Sequence, residues 1–389
     1  MAQQHLDPTD PTAPAVTADA LAGYLRAQAT EFLRALRLHR ETGAAAGSGA
    51  EESVDAARAL RRSARRISAS LHTFRPLLEA DWSEDMRPEL AWVSGTLGLE
   101  HAYEARLQRL LLALHRLSGV TVFPGQGTGR RGAATAPGGA GGRPAPVAAG
   151  SRTPAAAGAP VPLQAALVPA GGPAQPPPTP ERGTLTVGAA KAGALLERQL
   201  TLARTRAHST ALQALGSSRF HAVADKVAVL ASEVPLTPAA AGTDLHPLAA
   251  AAEERLANAV TALPLVTAGH PYNAEALVHG LSPDPSPHPQ DGPWHQVRLL
   301  LRLHRYAREV LHGADRPADV RLLTAGQALN RHRDASEAAA AAAQAARTPR
   351  IAPATAYALG VLHADQRHEV EAARFAFQQA WQKATVGAP

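Results

Sequence analysis

The helical spacing of apolar residues is the feature that most constrains the fold of this 389-residue chain. Outside one Gly/Ala/Pro-rich tract, apolar side chains recur every three to four residues, as at Leu21, Leu25 and Phe32. Regular period-2 alternation, the mark of a half-buried strand, is absent. Aromatic residues make up only 4% of a chain rich in alanine, which favours helices packed through small side chains. The predicted fold class is therefore all-α.

The chain divides into two helical halves joined by a linker. Residues 1–16 are polar and proline-rich, so we expect a disordered N-terminus. Helical periodicity covers residues 17–120 and returns over residues 192–386. Residues 121–191 are rich in Gly, Ala and Pro with too little apolar bulk for a core, and we predict a flexible, disordered linker. Its apolar segment VPLQAALVP (161–169) is expected to be solvated rather than a docking motif.

Within the two halves the periodicity predicts a series of separate helices. A helix is expected wherever apolar spacing near 3.6 residues continues between Gly- or Pro-rich breaks. The approximate predicted ranges are 17–39, 51–78, 87–117, 192–216, 218–233, 248–262, 294–312, 316–346 and 353–385.

Charge and composition exclude several classes of protein. The chain contains no cysteine, so disulfides, thiolate metal sites and cysteine nucleophiles are excluded. Its net charge of +6 allows a polyanionic partner. The N-terminus has no apolar segment typical of a signal peptide, and no apolar run is long enough for a membrane span. We therefore expect a cytoplasmic protein without membrane contact.

One predicted helix carries an unusual charge pattern. The segment RALRRSARRISASLHTF (58–74) contains no acidic residue. At about 100° per residue its basic side chains share one arc of the helix, and an apolar stripe lies opposite. Like charges one turn apart destabilise an isolated helix slightly, and a solvated face usually offsets them with glutamate. The basic arc comprises Arg58, Arg61, Arg62, Arg65, Arg66 and His72; the stripe comprises Leu60, Ala64, Ile67, Leu71 and Phe74.

The same pattern returns in the second half as HQVRLLLRLHRYA (295–307). Its basic residues share one side of a predicted helix with Tyr306. Two basic faces without acidic residues allow two interpretations. They form either a solvated surface or an anion-binding surface. Guanidinium groups one helical turn apart suit a ligand with repeated negative charges, such as a phosphate chain. The basic residues of the second face are His295, Arg298, Arg302 and Arg305.

Motifs of nucleotide-binding and hydrolytic sites are missing. The sequence has no G-x-x-x-x-G-K-[ST] loop, no G-x-G-x-x-G after a strand, no H-E-x-x-H and no G-x-S-x-G. His363 and His368 are five residues apart, which is not the spacing of metal ligands on one helix face, so no metal or other cofactor is expected. His304 is expected to be packed in the interior, and Trp294 and Trp381 to anchor the core.

Both basic segments resemble a known family. ARALRRSARRISASLHTFRPLL (57–78) and WHQVRLLLRLHRYAREVL (294–311) are similar to the two signature helices of the CHAD family, the conserved histidine α-helical domain. Further similarity extends over residues 89–110, 204–231 and 373–384. The chain departs from the family's pattern at Arg58, where the first signature has histidine, and at Ser68, Ala102, Leu303 and His304. It therefore resembles a divergent member.

The resemblance implies a fold of two helical bundles related by pseudo-twofold symmetry around a basic groove or pore. It implies binding of inorganic polyphosphate, and association with polyphosphate granules as in some members of the family. Alternatives are a helical nucleic-acid-binding protein, a scaffold without polyphosphate specificity, and a histidine-dependent phosphotransfer enzyme or phosphatase. A nucleic acid is the less favoured partner because no recognition-helix motif is present. No catalytic constellation is present either, so we expect a binding protein and not an enzyme. The implied binding residues are Arg58, Arg61, Arg62, Arg65, Arg66, Arg219, His295, Arg298, Arg302, Arg305 and Tyr306.

Overall fold

A computed structural model describes residues 16–44, 50–119, 180–270, 274–281, 288–313 and 319–382. The expected disorder of the N-terminus, the solvated VPLQAALVP segment and most of the predicted linker lie outside these ranges. Within them the chain forms eleven α-helices and no strand, which confirms the all-α prediction. No helix among the described residues is sufficiently long and apolar to span a bilayer.

The helices follow the periodic segments of the sequence, and short 3₁₀ turns precede α3, α6 and α9. The elements and their bounds are α1 (Ala18–Ala44), α2 (Ala50–Thr73), α3 (Ala80–Ser118), α4 (Pro180–Leu215), α5 (Ser218–Ser232), α6 (His246–Thr261), α7 (Leu265–Ala268), α8 (Ala274–Gly280), α9 (Gly292–His312), α10 (Val320–Ala346) and α11 (Pro353–Gln382).

One boundary corrects the predicted domain division. Helix α4 begins at Pro180, inside the segment 121–191 that was predicted to be a disordered linker. Small residues make this possible, because Ala189 and Ala192 are buried against α11 and α3 without any bulky side chain. At Gly188 a Cβ would lie 2.1 Å from the carbonyl oxygen of Ala354, so the two backbones approach closely. The lack of bulky apolar side chains therefore does not predict disorder at the C-terminal end of the segment 121–191.

Three hydrophobic cores hold the helices together. The first joins α1, α2, the start of α3, α5 and the end of α9, and the second joins the end of α3, α4, α10 and α11. The third lies among α6, α7, α9, α10 and α11. Two of these cores combine side chains from both halves of the chain, so the halves do not pack as separate units. The pseudo-twofold arrangement and the groove or pore stay predictions.

Helix α2 has the orientation that its sequence predicts. The stripe Leu60, Ala64, Ile67, Leu71 and Phe74 is fully buried in the first core, with each residue at most 1% exposed. Its basic face therefore points away from the first core, towards α3, α9 and α10. Trp294 and His304 are buried as expected, and Trp381 packs at the edge of the third core.

Candidate anion-binding site

Arginines from three helices converge beside α3, and we call this group the arginine cluster. It consists of Arg61 and Arg65 from α2, Arg298 and Arg302 from α9, and Arg333 from α10. The charges of Arg61, Arg302 and Arg333 all act on Arg65, and those of Arg333, Arg302 and Arg65 all act on Arg298. The two basic faces recognised in the sequence therefore meet in space.

The cluster is costly for the folded protein. Burial, followed by the neighbouring charges of Arg61 and Arg302, lowers the pKa of Arg65 to about 10. Burial, followed by the charges of Arg333 and Arg302, lowers the pKa of Arg298 to about 10. Burial also lowers the pKa of Arg61 and of Arg302. Since these pKa values lie below the ordinary value, the folded protein disfavours the charged form of each side chain.

Neutral groups, not carboxylates, surround most of the cluster. Among the described residues, no carboxylate lies within ion-pair distance of Arg61, Arg65, Arg298 or Arg302. The Nε of Arg65 donates to Ser94 Oγ at 2.8 Å, and Nη1 of Arg298 donates to Asn330 Oδ1 over a long 3.4 Å. The Nε atoms of Arg61 and Arg298 are buried and have no hydrogen-bond partner among the described residues. The cluster thus combines uncompensated positive charge with two buried donors that have no partner among the described residues.

Helix α3 makes room for the arginines of α2 with two small residues one turn apart. Ser94 is buried beneath Arg65, and Gly98 lies beneath Arg61. A Cβ at Gly98 would come within 2.7 Å of Arg61 Nη2. Helix α3 continues through Gly98 without interruption. Gly98 is needed for the close approach of the guanidinium group.

The sequence did not reveal Arg333. It lies in the segment LNRHRDAS, which contains both basic and acidic residues, so the spacing indicates no purely basic helix face. Its Nε donates to Asp334 Oδ1 at 2.9 Å and lies 3.9 Å from Glu337 Oε1. Yet its charge lowers the pKa of Arg61, Arg65, Arg298 and Arg302, which places it centrally in the cluster.

The other predicted binding residues on α2 and α9 are not members of the arginine cluster. Arg58 is exposed and pairs with Asp55 at 2.9 Å, and Arg62 is also exposed. Arg66 pairs with Glu309 at 2.7 Å, and its guanidinium carbon lies 5.6 Å from the centre of the Tyr306 ring. Arg305 is half-buried on the same helix as Tyr306. Their role in binding stays a prediction.

Arg219 is not brought to the cluster. It lies on α5, where its Nε pairs with Glu89 at 2.7 Å and its guanidinium stacks 4.2 Å from the centre of the Trp92 ring. Hydrogen bonding to Glu89 raises the pKa of Arg219. Because this arginine already has a carboxylate partner, its predicted role in anion binding has no geometric support here.

His295 links the cluster to a second group of charged residues. Its ring lies edge-on to that of His332, with centroids 5.4 Å apart, and its Nε2 is buried without a partner among the described residues. Burial lowers the pKa of His295, and the charges of Arg298 and Arg333 lower it further against the opposing charges of Asp291 and Glu337. His295 therefore remains a neutral neighbour of the arginines at neutral pH.

The second group, which we call the Asp291 network, lies beneath His295. Asp291 is completely buried and binds Arg367 Nη1 at 2.8 Å and Arg374 Nη2 at 2.7 Å. Ser336 also donates to this carboxylate. Burial alone would raise the pKa of Asp291, but the neighbouring His332 and the hydrogen bonds and charge of Arg367 hold it well below its usual range. The network joins α9, α10 and α11 just before the second basic face begins.

His332 is the titratable base of the Asp291 network. It is 1% exposed and stacks on Trp294 with ring centroids 5.7 Å apart. Burial lowers the pKa of His332 to about 4, although the carboxylate of Asp291, 3.5 Å from its Nε2, acts in the opposite direction. His332 is thus neutral at pH 7. No group of three or more His, Asp or Glu side chains within the described ranges could hold a metal ion.

Comparisons with known proteins agree with this architecture. The family model of the CHAD domain matches residues 27–343. The solved structure of PptA from Streptomyces chartreusis is 65% identical, with a TM-score of 0.69. The match covers 95% of this chain and 100% of the PptA chain. No curated protein sequence matches this chain. A family model matching most of the chain, with both signature helices in contact at the arginine cluster, shows that the chain belongs to the CHAD domain family.

Proposed function

We propose that the protein binds inorganic polyphosphate in the arginine cluster. The observation that carries the proposal is the convergence of partly buried arginines from α2, α9 and α10 without a carboxylate on most of them. A bound phosphate chain would supply the missing counter-charge and hydrogen-bond acceptors together. The polyphosphate-related role that the CHAD resemblance implies supports the same ligand.

The chemistry of the cluster favours a chain of phosphates over one phosphate. Arg61 and Arg65 are one turn apart on α2, as are Arg298 and Arg302 on α9, so the donors are distributed along two helices. Each guanidinium can present paired N–H groups to phosphate oxygens. A linear polyanion can contact successive arginines with successive phosphates, whereas a single phosphate relieves only part of the repulsion.

A nucleic acid is the competing polyanion. The cluster is partly buried between α2, α3, α9 and α10, which favours a thin chain over a wide duplex. Aromatic side chains on which single-stranded bases could stack are scarce at the cluster, where Tyr306 is the nearest candidate. A polyphosphate ligand therefore fits the donors and the depth of the site better.

A titration tests the ligand directly. Long-chain polyphosphate and duplex DNA would be titrated into the protein at two salt concentrations. We expect polyphosphate to bind more tightly, with an affinity that falls as salt rises because counter-ions are released. DNA binding of equal or greater strength would contradict the proposal.

Matched variants locate the site. Arg61→Gln and Arg298→Gln each remove one charge from the cluster, and each should weaken polyphosphate binding by about tenfold or more. Arg34→Gln removes the same charge from an exposed ion pair on α1 and should leave affinity nearly unchanged. Arg219→Gln should behave like this control. Far-ultraviolet circular dichroism checks that each variant stays helical, and wild-type affinity in both cluster variants would place the ligand elsewhere.

The proposed role is binding and localisation, not catalysis. Incubation with polyphosphate followed by an assay for released phosphate should give no signal above the buffer control. A fluorescent fusion should concentrate at polyphosphate granules in the wild type and disperse in the Arg61→Gln/Arg298→Gln double variant. Sustained phosphate release dependent on the cluster would replace this proposal with an enzymatic one.

A further inference from the structure

Glu337 is the carboxylate that borders the arginine cluster on α10. Its Oε2 accepts from Arg106 Nη2 of α3 at 2.5 Å, and its Oε1 lies 3.9 Å from Arg333 Nε. The two oxygens of one side chain thus join an arginine of the cluster to an arginine outside it. Neither Glu337 nor Arg106 was a candidate binding residue in the sequence.

The electric field of Glu337 extends into the cluster. Its negative charge opposes the lowering of the pKa of both Arg298 and His295. Other carboxylates have different positions, since Asp334 contacts Arg333 alone and Asp291 is fully buried in its own network. Asp334 offsets the charge of Arg333 directly, whereas the charge of Glu337 acts on Arg298 and His295 as well as lying near Arg333.

Glu337 is also exposed enough for a ligand to displace its side chain. Its side chain is 39% exposed, compared with 0% for Asp291. An anion that approaches Arg298 and Arg333 meets Glu337 as a like charge, and in a partly buried site this repulsion is much stronger than in bulk water. Displacing Glu337 also removes a counter-ion from Arg106, whose Nε is already buried without a partner among the described residues.

A ligand that binds at Arg298 and Arg333 has to displace Glu337. A small anion contacts few other arginines, so this cost removes much of its net gain. A phosphate chain can instead contact Arg61, Arg65 and Arg302 and leave Glu337 in place, so it bears less of the cost.

We propose that Glu337 is an internal counter-ion that sets a threshold of ligand charge and so excludes small phosphates from the arginine cluster. This inference rests on the proposed function and adds to it the basis of selectivity for long chains. Glu337 acts by competing with the ligand for Arg333.

The test compares inorganic pyrophosphate with long-chain polyphosphate in wild type and Glu337→Gln. We expect the variant to gain affinity for pyrophosphate on the order of tenfold and to gain less for the long chain, because the long chain can contact the other arginines of the cluster without displacing Glu337. The ratio of the two dissociation constants should therefore fall. Glu337→Asp keeps the charge and should retain a ratio close to that of the wild type.

Glu369→Gln is the matched control. Glu369 also lies near two arginines, at 3.6 Å from Arg109 and 3.7 Å from Arg116, and is 42% exposed, but it lies on α11 outside the cluster. An unchanged ratio in Glu337→Gln, or an equal change in Glu369→Gln, would overturn the inference. Wild-type protein that binds no long-chain polyphosphate would instead contradict the proposed function, while a gain of pyrophosphate binding in Glu337→Gln would still support Glu337 as the internal counter-ion.

Discussion

The arginine cluster and the Asp291 network are built from the same residue types but have opposite electrostatics. Each places arginines beside a histidine with a lowered pKa, and the rings of His295 and His332 lie next to each other where the two regions meet. In the Asp291 network a buried carboxylate binds both arginines. In the arginine cluster most guanidinium groups have no carboxylate among the described residues.

This difference separates a structural arrangement from the proposed binding site. Arg367 and Arg374 have their anion within the fold, so their charges help to hold α9, α10 and α11 together. Arg65 and Arg298 are destabilised by burial and by repulsion from neighbouring arginines, and no carboxylate pairs with either of them among the described residues. Buried like charges of this kind are typical of functional sites. Residue type alone does not distinguish the arginine cluster from the Asp291 network. The position of Asp291 does.

The largest expected effect comes from removing that aspartate. Asp291→Asn should lower the free energy of unfolding by about 3–5 kcal/mol, because Arg367 and Arg374 would remain buried without their carboxylate. Urea denaturation followed by circular dichroism measures the loss. Asp55→Asn breaks an exposed pair with Arg58 and should change stability little. Equal stability of wild type and Asp291→Asn would show that the network is not structural.

A pH titration compares the two regions through His332. Because the pKa of His332 is about 4 in the folded protein and near 6.5 when unfolded, the unfolded chain binds the proton more readily. Stability should therefore be full above about pH 6.5 and fall as pH drops towards 4, by roughly 2–4 kcal/mol from this residue. His332→Gln should show a shallower fall in denaturant midpoint over that window. His208→Gln, at an exposed position, should keep the wild-type slope.

Neutralising an arginine of the cluster should have the opposite sign to neutralising Asp291. Arg298→Met keeps an apolar stem and removes a repelled charge, so the unliganded protein should gain about 1–2 kcal/mol of stability. The same variant should bind polyphosphate more weakly. Thermal denaturation with and without polyphosphate measures both effects. A destabilised Arg298→Met protein would mean that the cluster is already compensated.

The smallest expected effect concerns the contact between α2 and α3. Gly98→Ala places a Cβ against the guanidinium of Arg61, which can move because it is the end of a flexible side chain. The helix should gain up to about 1 kcal/mol from the alanine, and polyphosphate affinity should fall a few-fold as Arg61 is displaced. Gly95→Ala, where nothing lies near the new Cβ, should leave affinity unchanged.

Much of the fold and part of the candidate site could be predicted from apolar periodicity and from the pattern of charges. The buried stripe of α2 and the two basic faces follow from spacing along single helices, which is a local property. Arg333 and Glu337 could not be found in this way, because each stands in a mixed segment whose significance depends on which helix packs beside it. Helix α4 begins earlier than expected because Gly188 and Ala189 pack closely against α11, a helix that is far from them in the sequence.

By itself the sequence determined the all-α fold, the apolar stripe of α2 and the resemblance to the CHAD family, since these depend on helical periodicity and residue type. Tertiary structure alone decided which arginines stay without a counter-ion. Arg219 and Arg298 are both arginines on amphipathic helices, but Glu89 lies beside the first, while the second faces other arginines. The reason is that an ion pair depends on the distance between side chains far apart in the chain, and only packing of the helices sets that distance.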